Sequence, residues 1–270
     1  MPDATSPFAL SLLPTPSKPL MGLTMLVVED SRYACEALRL LCLYSGARLR
    51  RADCLASAHR HLGVYRPDVL IVDLGLPDGP GEGLIHDLAR RPQRPSVLVA
   101  TSGDPLLGPA AMAAGADGFL EKPIDSLRHF QCTILSLLPL GPGESSPRPA
   151  CQTDTALTPD PIALRDDLAH AAVILSDHPD AHARNYVSQF LAGVARSAHD
   201  PQLADAASGL AQRRSDAEGE TGKDAALGRV ARLVQARLEA TGPLWTPPKT
   251  AAPPPHLVPT AAIPARSLLR

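Results

Sequence analysis

The chain has 270 residues, a formal net charge of −2 and 44% hydrophobic residues, a composition ordinary for a globular protein long enough for two domains. The charge lacks the basic excess that DNA-binding domains usually carry, and no run of about 18 apolar residues could span a membrane. Composition therefore favours a cytoplasmic protein without a membrane segment and weighs against DNA as the partner.

Three Pro-rich tracts divide the chain. Residues 1–22 lack a periodic apolar pattern, which predicts a disordered N-terminal extension. A second tract over 141–161 predicts a linker, and a third over 241–270 predicts a disordered tail. Two patterned regions remain, residues 23–140 and residues 162–240.

The first patterned region alternates short apolar runs with helical segments. The five strand segments read LTMLVVED, RLRRAD, DVLIVDL, SVLVATS and GFLEK. The helical pattern covers about 31–44, 55–64, 83–90, 106–114 and 125–138. Strands that alternate with helices predict a doubly wound α/β fold, and the continuous apolar runs are typical of parallel strands buried on both faces. We expect a five-stranded parallel sheet.

The second patterned region is helical, with segments over about 162–175, 181–197, 201–214 and 224–240. In the first segment Leu164, Leu168, Ala171 and Leu175 recur at helical spacing, which predicts one apolar face. This face must pack on another helix of the same region or of a second chain. The sequence therefore predicts a small all-α region of unknown type.

Polar side chains end the predicted strands of the first region. Glu29 and Asp30 end the first strand, Asp73 the third, Thr101 the fourth and Lys122 the fifth. Ligands of doubly wound sheets bind at the carboxyl ends of the strands, so we expect these side chains to meet in one cleft. Three acids in one pocket repel each other unless a cation lies between them, and Mg²⁺ prefers such oxygen ligands. The pattern predicts Asp73 as a nucleophile that forms an aspartyl phosphate.

Four motifs carry a family resemblance over about residues 23–140. They are VVEDS (27–31), DLGLPDGPG (73–81), VLVATSG (97–103) and GFLEKPI (118–124). Together they resemble the receiver (CheY-like) domain of two-component response regulators. The resemblance implies a flavodoxin-like fold and phosphorylation by a histidine kinase or a histidine phosphotransfer protein.

The resemblance also implies a role for each matching residue. For the metal, it implies Glu29 and Asp30 as the acidic pair, Asp73 as a further ligand and Gly75 as a ligand through its backbone carbonyl. For the phosphoryl group, it implies Asp73 as the phosphoacceptor and Lys122 as the phosphate-sensing lysine, before a cis-proline position at Pro123. For the switch, it implies Thr101 as the hydroxyl and Phe119 as the aromatic residue. A one-residue shift would make Ser102 the switch hydroxyl instead. The positions two after Asp73 and two after Thr101 are both glycine, although side chains there influence water access in the family.

The output of the C-terminal region has two interpretations. In the first, its alanine-rich helices form a homodimer or bind another protein partner. In the second, they form a divergent DNA-binding domain of a transcription regulator. Residues 150–240 lack a recognisable winged-helix, LuxR-type or Fis-type signature, and acidic residues interleave with the arginines of the last helices, so the first interpretation is favoured. No catalytic motif indicates an enzyme beyond Mg²⁺-dependent self-phosphorylation and slow self-dephosphorylation.

Overall fold

The computed structural model describes residues 14–139, 157–177, 179–212 and 220–240. The predictions of disorder for 1–13 and 241–270, and most of the predicted linker, lie outside these residues. Two regions follow each other along the described chain. The first is an α/β domain, and the second is a set of helices that packs against it.

The α/β domain is built on five parallel strands. They are β1 (Thr24–Val28), β2 (Arg48–Ala52), β3 (Val69–Asp73), β6 (Val97–Ser102) and β7 (Gly118–Glu121), in the spatial order β2-β1-β3-β6-β7. Two further strands of two residues each, β4 (Gly75–Leu76) and β5 (Gly79–Pro80), form a small antiparallel pair after β3. The predicted flavodoxin-like five-stranded parallel sheet is confirmed.

Helices cover both faces of this sheet. They are α1 (Arg32–Ser45), α2 (Leu55–Val64), α3 (Gly81–Ala89), α4 (Gly108–Ala114) and α5 (Leu127–Leu137). Apolar residues of α1 and α5 pack on one face with Val27, Ile71 and Val99, while α2, α3 and α4 pack on the other. The β3 and β6 strands are buried along their whole length, as a sheet covered on both faces requires.

Local signals fix the helix that follows the first acids. The Ser31 side chain accepts a hydrogen bond from the Ala34 backbone N–H and caps the start of α1. Gly46 ends the helix in the left-handed conformation, at φ 82°, which glycine adopts without steric cost. These caps hold the start of α1 directly after Glu29 and Asp30.

Residues 14–22 differ from the predicted disordered extension. Leu20 is fully buried among the apolar residues of α1 and α5, and its N–H donates to the carbonyl of Ser45. Thr15 and Lys18 form an isolated β-bridge before it. The prolines suggested an unstructured segment, but one large apolar side chain at the end of a turn is enough to hold the segment on the core.

The second region contains four helices. They are α6 (Pro161–Ser176), α7 (Ala181–Ser197), α8 (Pro201–Gln212) and α9 (Glu220–Glu239). Leu164, Leu168, Ala171 and Leu175 of α6 are buried in one apolar cluster with residues of the other three helices, as their spacing predicts. Tyr33 of α1 belongs to the same cluster, so this core continues onto the α/β domain. None of the helices in the described ranges combines the length and apolarity needed to cross a bilayer.

Candidate functional site

Three carboxylates meet at the carboxyl end of the sheet. Glu29 and Asp30 follow β1, and Asp73 is the last residue of β3. One carboxylate oxygen from each of the three lies within 4.8 Å of the others. Glu29 is fully buried and Asp73 is only 7% exposed. The structure therefore brings together the acids that the sequence predicts to meet.

Lys122 lies between two of these acids. It follows β7, and its Nζ is 2.7 Å from Glu29 Oε2 and 3.2 Å from Asp73 Oδ1. Its side chain is buried, and its peptide bond to Pro123 is cis, as the resemblance implies. One ammonium group thus contacts two carboxylates in a region with little water, where its charge acts strongly.

The charges of the cluster favour the binding of a further positive charge. Burial raises the pKa of Glu29 to about 8, against the opposing charge of Lys122. Burial also raises the pKa of Asp30 to about 7, against a hydrogen bond from Tyr186. Burial alone would lower the pKa of Lys122, but the charges of Asp73 and Glu29 outweigh it and hold that pKa above its ordinary value. Burial opposes the ionisation of these carboxylates, and a divalent cation bound between them would offset that cost. The three carboxylates are also the oxygen ligands that such a cation prefers.

Two hydroxyls end β6, and they differ in their surroundings. Thr101 pairs with Asp73 in the register of the sheet, whereas Ser102 is one residue further along β6. The Thr101 hydroxyl is buried and has no hydrogen-bond partner among the described residues. The Ser102 hydroxyl accepts from the N–H of Asp104. A buried, unpartnered hydroxyl beside Asp73 favours Thr101 for the predicted switch role, which stays a prediction.

Gly75 and Gly81 lie close to this cluster, whereas Phe119 lies against the start of α4. Gly75 lines the cavity above Asp73. A Cβ on Gly81 would lie 2.1 Å from the Asp73 carbonyl oxygen, so only glycine lets α3 begin this close to β3. The half-buried Phe119 ring lies against Gly108 at the start of α4. The metal-binding role of Gly75 and the switch role of Phe119 stay predictions.

Helix α7 covers the cluster from the second region. Its Tyr186 hydroxyl donates a 2.5 Å hydrogen bond to Asp30 Oδ2. Further along, Gln189, Gly193 and Arg196 line a cavity of about 230 Å³ whose opposite wall includes Glu29, Asp30, Asp73 and Lys122. The acids therefore face a helix of the same chain.

Helix α6 fixes this arrangement at the start of α1. The buried carboxylate of Asp167 accepts from the Ser31 hydroxyl and from the backbone N–H groups of Arg32 and Tyr33. An acid at a helix N-terminus is favoured by the free N–H groups and the positive end of the helix dipole. Among the described residues, its neighbour Asp166 pairs with the exposed side chain of Arg32. Asp167 is thus a polar anchor between the two regions, in addition to Tyr186 on Asp30.

The sequence predictions did not include Tyr186, Gln189, Gly193 or Asp167. A signal for α7 exists in the spacing, since Tyr186, Gln189, Gly193 and Arg196 recur every three or four residues and so share one helix face. That face is polar and contains a glycine, so its sequence has the composition of an ordinary solvent-exposed helix surface. Only the docking of α7 shows that it faces the acids.

Comparison with known proteins identifies the first region. Residues 25–131 match the family model of the response regulator receiver domain. The KDP operon transcriptional regulatory protein KdpE of Escherichia coli is 34% identical over 99 residues, which cover 37% of this chain and 44% of that protein. The transcriptional regulatory protein PmrA of Pectobacterium parmentieri is 28% identical over 156 residues, 57% of this chain and 65% of that protein. The chain thus spans about half the length of these curated relatives.

Solved structures match the same region. A response regulator receiver domain (CheY-like) from Methylobacillus flagellatus is 30% identical, with 43% of this chain and 98% of that chain covered and a TM-score of 0.39. A response regulator from Chloroflexus aurantiacus is 26% identical, with 43% and 96% covered and a TM-score of 0.40. The family match covers the five strands and the acid–lysine cluster. Residues 25–131 therefore form a response regulator receiver domain.

Proposed function

We propose that this chain is a cytoplasmic response regulator that accepts a phosphoryl group on Asp73 from a histidine kinase or a histidine phosphotransfer protein. The observation that carries the proposal is the cluster itself. Asp73 ends a buried strand with Lys122 Nζ 3.2 Å from its Oδ1, and the Glu29 and Asp30 carboxylates lie beside it. If Lys122 served only to form a structural ion pair, a single acid would be enough to balance its charge. This pocket instead holds three acids.

Each residue of the cluster has its own role in phosphoryl transfer. A carboxylate oxygen of Asp73 attacks phosphorus, the P–N bond of the phosphohistidine breaks, and its electron pair stays on the imidazole nitrogen. The Lys122 ammonium offsets negative charge on the transferred group. Glu29, Asp30 and Asp73 would hold Mg²⁺, which when bound neutralises charge on the phosphoryl oxygens.

The output follows from a change in contacts after phosphorylation. A phosphoryl group on Asp73 would draw in the Thr101 hydroxyl and Lys122, and so shift the surface formed by α4, β7 and α5, next to Phe119. We propose that this change is transmitted through protein contacts, either as a homodimer or with another protein through the C-terminal helices. The chain then acts as a switch and catalyses only its own phosphorylation and slow dephosphorylation.

A second candidate function is regulation of transcription through DNA. KdpE and PmrA are named as transcriptional regulatory proteins, and the PmrA match extends over more residues than a receiver domain needs. Selection of binding sites from random DNA with the full chain separates the two candidates. Enrichment of one sequence at physiological salt would favour the transcription regulator.

Labelling with acetyl phosphate tests the phosphoacceptor. We expect the chain to take up an acid-labile, hydroxylamine-sensitive phosphoryl group in the presence of Mg²⁺, and the Asp73→Asn variant to lose it. The Asp87→Asn variant is the matched control, since Asp87 is an exposed acid of α3. EDTA is expected to abolish labelling, because the three acids then repel the incoming phosphate. Uptake of the same label by Asp73→Asn would contradict the assignment.

A further inference from the structure

Helix α7 fills space that two glycines leave open beside Asp73. A Cβ placed on Gly75 would lie 3.5 Å from Gln189 Oε1 and 3.8 Å from Asp73 Oδ2, so both polar groups lie close to one point. A Cβ on Gly103 would lie 3.3 Å from the Cα of Gly193. Because both receiver positions lack side chains, α7 can approach the pocket and supply side chains of its own there.

Gln189 is the polar side chain of α7 that faces the phosphoacceptor with its hydrogen-bonding groups free. It lines the same cavity as Asp73 and Lys122. Within the described ranges its side-chain amide makes no hydrogen bond, so the carbonyl can accept and the amino group can donate. Tyr186, one helical turn before it, is by contrast held by Asp30.

The cavity also defines the side from which water must come. The Asp73 side chain lines the cavity of about 230 Å³ beneath α7, so a phosphoryl group on it would extend into that cavity. Hydrolysis needs an oxygen in line with the breaking bond, on the side of phosphorus opposite the Asp73 oxygen. Gln189 lines that cavity, and its Oε1 lies 3.5 Å from the point where a Cβ on Gly75 would stand.

We propose that Gln189 positions the water that hydrolyses the aspartyl phosphate, so that the C-terminal helices set how long the chain stays phosphorylated. The inference rests on the proposed phosphorylation of Asp73. The Gln189 carbonyl accepts a hydrogen bond from the attacking water while its amino group donates to a phosphoryl oxygen. A glutamine amide suits this role because it carries no charge and can both accept and donate a hydrogen bond.

The reaction balances without a further reactant. The water oxygen forms a bond to phosphorus, the bond between phosphorus and the Asp73 oxygen breaks, and the electron pair returns to the Asp73 carboxylate. Both protons of the water stay with the released inorganic phosphate. Gln189 is unchanged at the end, and Lys122 again contacts the free carboxylate.

The lifetime of the aspartyl phosphate tests the proposal. The full chain is labelled with acetyl phosphate and Mg²⁺, the donor is removed, and the loss of label is followed, so that the rate does not depend on the amount taken up. We expect the label to persist at least about tenfold longer in Gln189→Ala than in the unaltered chain. Gln235→Ala, which removes an exposed glutamine of α9, is the matched control and should decay at the unaltered rate.

A second variant separates the amide from the packing of α7. In the Gln189→Ala background, Gly75→Asn returns an amide to the same space from the receiver side, and we expect decay to become faster than in Gln189→Ala, towards the rate of the unaltered chain. A double variant that decays no faster than Gln189→Ala would assign the effect to helix packing and overturn the proposal. An equal or shorter lifetime in Gln189→Ala would also overturn it, since α7 would then only shield the phosphate. Failure of the unaltered chain to label at Asp73 would instead remove the proposed function, and this inference with it.

Discussion

The two regions of the molecule are held in place by different kinds of interaction. The receiver has a sheet buried on both faces by large apolar side chains, such as Leu70, Ile71 and Phe130. The helical region has a core rich in alanine and meets the receiver partly through polar groups, namely Asp167 at the start of α1 and Tyr186 on Asp30. The receiver fold thus depends on bulk apolar burial, whereas the docking of the helices combines the apolar contact of Tyr33 with a few specific hydrogen bonds.

The largest expected effect comes from removing the buried ammonium of the receiver. Lys122→Met leaves Glu29 and Asp73 without their counter-charge, and we expect the metal-free chain to lose about 3 kcal/mol of unfolding free energy at pH 8.5. The loss should shrink at pH 6, where the buried carboxyl of Glu29, with its raised pKa of about 8, takes up a proton. Urea unfolding at the two pH values measures it, with the exposed Lys18→Met as control. An equal loss at both pH values would argue against charge as the cause.

The next effect tests the anchor between the two regions. Asp167→Ala removes the acceptor for three donors at the start of α1, and we expect a cost of about 2 kcal/mol in the association of the helices with the receiver. Hydrogen exchange should then show faster exchange in α6 and α7 with little change in β3. The adjacent Asp166→Ala breaks only an exposed ion pair and should have almost no effect. Equal exchange in both variants would mean that apolar contacts, not Asp167, dock the helices.

Protons should compete with the metal at the acid cluster. Because the carboxyl pKa values of Glu29 and Asp30 are raised to about 8 and about 7, the folded chain holds protons there at pH 6 and releases them as the pH rises. A cation binds the ionised form, so we expect Mg²⁺ affinity to increase about tenfold or more between pH 6 and pH 8.5. Calorimetric titration at three pH values checks this. A flat or falling affinity would show that these acids do not bind the metal.

The smallest effect concerns the contact of α7 with the same cluster. The Tyr186 hydroxyl occupies an Asp30 oxygen that the metal would need, so Tyr186→Phe should raise Mg²⁺ affinity by about two- to fivefold at pH 8. Tyr44→Phe is the control, because Tyr44 is exposed on α1. A weaker affinity in Tyr186→Phe would mean that the hydroxyl holds Asp30 in its binding position instead of competing for it.

The difference between the regions also explains what the sequence could predict. The strands and helices of the receiver follow the predicted segments to within about two residues, since continuous apolar runs and strand-end acids are local patterns. The four C-terminal helices are also recognisable from their spacing. Their docking is not, because Asp167 and Gln189 have the pattern of solvated helix residues until the fold brings them to α1 and Asp73. Leu20 was missed for the opposite reason, since prolines surround a single core residue.

Direct mapping of the phosphoryl group tests the central claim, that Asp73 is the phosphoacceptor. The chain is labelled with acetyl phosphate and Mg²⁺, reduced with borohydride to convert an aspartyl phosphate to homoserine, and digested for mass spectrometry. The arrangement of Asp73 with Lys122, Glu29 and Asp30 predicts homoserine at position 73 alone. Unmodified Asp73 together with homoserine at another aspartate would contradict it.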